Sequence, residues 1–218
     1  MERPAAPFPP SPWHLTGDMI VSLWRVPPGD LPSWPLPPGV RPWVVRRRAT
    51  LATFWVDYRP GGALAYREFL IALAVRHGHR LAAGTVAAWV DDEQSLAGGR
   101  ALWGIPKELG TITFRADGRN ARVELTTAGT PPVRLTYRDV LRLPFRLPAH
   151  GHLIQQLSDG TVCRVPMRIS GRPALGRSRV TAAGEAPLSV LTRHRPLLTV
   201  ALRDFRSTVG GSAPSADH

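Results

Sequence analysis

The sequence predicts a mainly β, single-domain protein, a barrel or a sandwich, and three observations carry that expectation. About nine short segments rich in β-branched and aromatic residues follow one another at close spacing. Turn signals separate them, among them Pro60-Gly61-Gly62, His77-Gly78, Asp117-Gly118 and Thr130-Pro131-Pro132. The chain has 218 residues, 43% hydrophobic and 20% charged, enough for a sizeable core and unlike a disordered polymer.

The elements follow in order. Residues 1–17 are Pro-rich and read as an N-terminal arm. Met19 to Val26 is a strand candidate with Arg25 near its end, and residues 27–42, with seven prolines, read as an irregular connection. Ala49 to Tyr58 and Leu81 to Val90 are strands. Leu64 to Val75 is a strand or a helix, since its Leu, Ala and Glu residues also suit a helix. Asp91-Asp92-Glu93 makes an acidic start for a helix over Gln94 to Leu102. Gly110 to Phe114, Ala121 to Thr126 and Val133 to Tyr137 form a meander. Thr161 to Ile169, Arg177 to Ala182 and Leu197 to Phe205 complete the strands. The globular domain is expected over residues 18–208, and 209–218 read as a disordered tail.

Composition removes several function classes. One cysteine, Cys163, excludes an internal disulfide, and His77, His79 and His194 have no metal-ligand spacing, so no metal is expected. No apolar run reaches the length of a spanning helix, and the proline-rich start does not resemble an export signal, so a cytoplasmic protein without membrane partners is expected. The net charge is +12, but the arginines are scattered and the only dense run, Arg46-Arg47-Arg48, precedes an alternating apolar strand. A solvated strand end explains that run better than a nucleic-acid patch. No phosphate-cradling glycine loop or nucleophile elbow is present; Gly98-Gly99 lacks the continuation of a P-loop.

The cations are more informative. Of 28, 27 are arginine and one is lysine, Lys107. Arginine stays protonated at working pH, whereas a buried lysine amine can lose its proton and attack a carbonyl. Trp103-Gly104-Ile105-Pro106 precede it, an apolar turn rather than a solvated helix face.

The segment from Leu96 to Gly110 resembles the acetoacetate decarboxylase family: Gly99 and Arg100 match the start of its signature, Pro106 and Lys107 its end. The resemblance makes Lys107 the Schiff-base lysine. Tyr66-Arg67-Glu68 matches the family's glutamate triplet and makes Glu68 the acid/base residue. Leu23-Trp24-Arg25 resembles the strand carrying its active-site arginine, so Arg25 would hold the substrate carboxylate. Glu108 stands in place of the second lysine of the family pair, Ala101 in place of a glutamate, and Thr53-Phe54-Trp55 where a further glutamate is expected.

The chemistry needs these types. An imine at Lys107 accepts the electrons released as a β-keto acid loses CO2, leaving an enamine. The amine must be neutral, and burial lowers its pKa. Trp103, Ile105 and Phe54 are expected to line the substrate pocket, with Trp55 and Trp89 nearby. Glu108 should point away from it, because side chains alternate along an extended segment. Arg100 is expected to brace the loop. The expected function is cofactor-free decarboxylation of a small β-keto acid such as acetoacetate by a homo-oligomeric lyase. The departures leave two alternatives: a lysine-imine aldolase or dehydratase, and a non-catalytic β-barrel binding protein for a small molecule or nucleic acid.

Overall fold

A computed structural model describes residues 6–182 and 188–211. Thirteen strands and two helices follow in the order β1 (Trp13–Val26), β2 (Val40–Pro42), β3 (Val44–Val45), β4 (Arg48–Tyr58), β5 (Arg67–His77), β6 (Arg80–Val90), α1 (Glu93–Trp103), β7 (Lys107–Leu109), β8 (Thr111–Asp117), β9 (Asn120–Thr127), β10 (Thr130–Arg142), β11 (Leu147–Gln156), β12 (Val162–Thr181), α2 (Ser189–Arg193) and β13 (Leu198–Val209). Neighbouring strands run β11-β6-β5-β4-β1-β13-β12, and β12 pairs back to β11. This closes a seven-stranded barrel. Closure leaves no open edge in the ring, the usual solution for a sheet of this size. The closing seam is thin: β6 and β11 meet in parallel through Leu153 opposite Ala83.

The two faces of the wall serve different cores. On β4, Phe54, Val56 and Tyr58 face the lumen, while Leu51 and Trp55 face outward. The second half of β12 leaves the ring to pair with β10, and β9 and β8 extend that sheet. This meander brings Ile112, Val123, Leu125 and Leu135 against Trp24, Leu51, Trp55, Phe69 and Ile71 on the outer wall. The architecture is therefore a closed barrel with a sheet packed on one side.

Several expectations change. Of the two readings left open for Leu64 to Val75, strand holds, as β5 from residue 67. Its apolar run is continuous because Leu70 and Ala72 face the lumen while Phe69, Ile71 and Leu73 face the outer core. Both faces are buried, so periodicity does not discriminate and pairing with β4 and β6 decides. The expected arm is shorter, because β1 begins at Trp13, which is fully buried opposite Val209 of β13. Residue 209 thus lies in the barrel, and the tail from 212 onward lies outside the described residues. Residues 27–42 include a short 3₁₀ turn, Pro28–Asp30, and β2 paired with β5. The two late strands, 161–169 and 177–182, are one long β12. Strand β11 was not anticipated, since Leu-Pro-Ala-His-Gly-His has no strand-like alternation.

Candidate active site

A cavity of about 260 Å³ occupies the barrel lumen, and every strand of the ring contributes to its wall. Lys107 reaches it from β7, a three-residue strand running parallel to β6 with Lys107 beside Ala88. Lys107 turns inward and is buried, while the neighbouring Glu108 is exposed, as alternation requires.

Helix α1 and its exit turn aim the lysine. Asp92 caps the helix by accepting a hydrogen bond from the Ser95 N–H at 2.7 Å. Ser95, wholly buried one turn in, accepts a hydrogen bond from Lys107 Nζ at 2.8 Å. Gly99 lies beside the lysine stem: a Cβ there would come within 2.6 Å of Lys107 Cε. Gly104 ends the helix at φ 65°, and a Cβ on it would lie 2.2 Å from the Gln156 carbonyl. Arg100 donates from Nε to the Lys107 carbonyl at 2.7 Å, bracing the loop from outside the cavity as expected.

Inside, Lys107 Nζ is 2.9 Å from Glu68 Oε1 and donates to Tyr66 Oη at 3.4 Å. Tyr58 Oη donates to the other Glu68 oxygen at 3.1 Å. The Tyr58 and Tyr66 rings lie 4.4 Å apart, and Nζ sits 5.0 Å from the Tyr66 ring centre. Burial pulls the Lys107 ammonium pKa down. The Glu68 charge outweighs it, together with Tyr66 and the hydrogen bonds of both, and the pKa ends above its ordinary value. This reverses the expected lowering, which considered an apolar pocket without its carboxylate. Burial and then the Glu68 charge push Tyr66 up to about 12, so its phenol stays neutral.

Of the residues expected from sequence, Lys107, Glu68, Trp103, Ile105 and Phe54 meet at this cavity. Arg25 does not. It shares a strand face with Met19 but lies six residues farther along β1, about 20 Å, and its guanidinium donates to the Val45 carbonyl at 2.7 Å. Trp55 and Trp89 face the outer core instead of the pocket. Sequence reasoning missed Tyr58, Tyr66 and Ser95. The period of two that places Glu68 in the lumen also places Tyr66 there, so that signal was available. Nothing local marks Tyr58, which reaches Glu68 only across the β4–β5 pairing.

The fold is thus a closed β-barrel with a lysine–carboxylate pair buried in its lumen. The acetoacetate decarboxylase family matches residues 1–146, and the chain belongs to it. Among solved structures, the enduracididine biosynthesis enzyme MppR complexed with pyruvate is 20% identical, with a TM-score of 0.69 over 95% of this chain and 91% of that one. MppR complexed with the condensation product of pyruvate and imidazole 4-carboxaldehyde is 19% identical, with a TM-score of 0.62 over 93% and 88%. Acetoacetate decarboxylase from Legionella pneumophila is 17% identical, with a TM-score of 0.66 over 95% and 90%. These likenesses are of fold. No curated protein matches the sequence.

Proposed function

We propose that the protein is an imine-forming enzyme that decarboxylates a β-keto acid through Lys107. One observation carries this reading: the chain's only primary side-chain amine lies 2% exposed at the wall of an apolar cavity, 2.9 Å from a buried carboxylate.

Lys107 starts as the ammonium, its pKa, despite burial, held above the ordinary value by the Glu68 charge. Glu68 takes a proton from Nζ, and the neutral amine adds to the substrate ketone. The proton returns to the carbinolamine hydroxyl, which leaves as water and gives the iminium. The bond to the carboxylate then breaks, CO2 departs, and its electron pair forms the enamine. Glu68, its first proton spent on the departing water, takes one from solvent and delivers it to the enamine carbon; water then adds to the iminium, releasing the ketone and restoring the protonated amine. Tyr58 orients Glu68 through its hydrogen bond, and Ser95 holds Nζ in line.

No guanidinium lines the cavity among the described residues. The substrate carboxylate therefore rests against apolar wall, and its loss as neutral CO2 relieves a buried charge. A second reading has the enamine add to an aldehyde. The MppR condensation complex, similar in fold, supports it.

Borohydride added with a β-keto acid should attach the reduced adduct's mass to Lys107, and Lys107→Arg should carry none. Trapping at another residue, or none with any carbonyl compound, overturns the reading. Adduct without CO2 release selects the aldol alternative.

A further inference from the structure

The lumen extends well beyond the lysine. Inward side chains on β5 run Glu68, Leu70, Ala72, a span of four residues or about 13 Å. Across the strand pairing, Ala72 lies opposite Thr85 of β6, and Ala83 follows on the same inner wall. Thus the wall carries bulky and polar side chains beside Lys107 and small ones, Ala72, Ala83 and Thr85, farther along. A four-carbon keto acid anchored at Nζ occupies only the Glu68 end.

Most of that space has an apolar lining, with Thr85 and Ser207 the hydroxyl-bearing exceptions. Leu70, Met19, Met167 and Ile169 face that space. Lys107 and the rim imidazoles of His150 and His152 are the lining groups able to carry positive charge. A second carboxylate midway along the lumen would be buried without a partner.

We propose that the Lys107 site takes a carbonyl compound bearing an unbranched apolar tail, and that Ala72 and Ala83 make the room for that tail. The proposal rests on the imine reading for the reacting end alone; the tail chamber stands on its own geometry.

Two homologous series test it on the full chain. Straight-chain 3-oxo acids of four to eight carbons are trapped with borohydride, and 2-alkanols of the same lengths, unable to form imines, are followed by change in tryptophan fluorescence. Affinity in both series is expected to rise about fourfold per added methylene until the lumen is full. Ala72→Leu should collapse the ratio of eight-carbon to four-carbon affinity, and Ala83→Leu, on the neighbouring strand, should do the same. Alcohol affinity that does not change with length, or both variants leaving the ratio intact, overturns the proposal. Length-dependent alcohol binding with no trapped keto acid upholds the tail chamber and removes the imine reading.

Discussion

Lys107 and Glu68 form a pair in which each residue sets the other's behaviour. A buried pair broken on one side leaves an uncompensated charge, so the survivor changes its protonation state. Glu68→Gln removes the carboxylate that raises the lysine pKa and leaves the burial that lowers it. The apparent Lys107 pKa should then fall below the ordinary value of ~10.4. Reductive methylation with labelled formaldehyde, followed across pH by NMR, measures it; an unchanged midpoint would refute the coupling. The sign for stability follows as well. A raised pKa in the folded state stabilises the fold below the unfolded value, and that contribution disappears as pH rises through the folded one. The lysine was legible because it stands alone among arginines. Arg25 was misassigned because its neighbours suit a site strand, while its distance along β1 is invisible to a local motif.

Helix α1 does its work through absent side chains. Alanine for glycine inside a helix normally gains about 1 kcal/mol. At Gly99 the added methyl would meet the lysine stem, and at Gly98 it would come within 2.5 Å of Trp13. Gly99→Ala should therefore lower the melting temperature instead of raising it. It should also slow trapping at Lys107, on the order of a hundredfold for a 1 Å displacement. A more stable variant with full trapping would contradict the packing argument. The helix itself was readable from its acidic start, and Asp92 is indeed its cap. The glycine pair looked like a failed phosphate loop, since the lysine it accommodates lies eight residues onward. Strand β11 was missed because prolines, histidines and glycine at its start carry no period, and its pairing with β12 supplies the order.

The molecule keeps two cores on opposite faces of one wall. The outer core lies between the ring and the β8–β10 meander, and the lumen holds the Lys107–Glu68 pair. Leu125 is buried in the outer core and does not line the cavity. Leu125→Ala should cost about 2–5 kcal/mol in urea unfolding while the folded fraction traps substrate at the unaltered rate. A matching loss of trapping in the folded protein would show that the two cores are coupled.

The β class, the meander, the α1 position and the solitary lysine were all determined by the sequence, because composition, turn residues and an unmatched amine act locally. Which face of each strand meets the lumen, the closure through β11, the company of Tyr58 and Ser95, and the upward push on the Lys107 pKa were decided by the tertiary structure. Those properties depend on pairings between distant strands, and a charge buried by one strand is answered by a carboxylate carried on another.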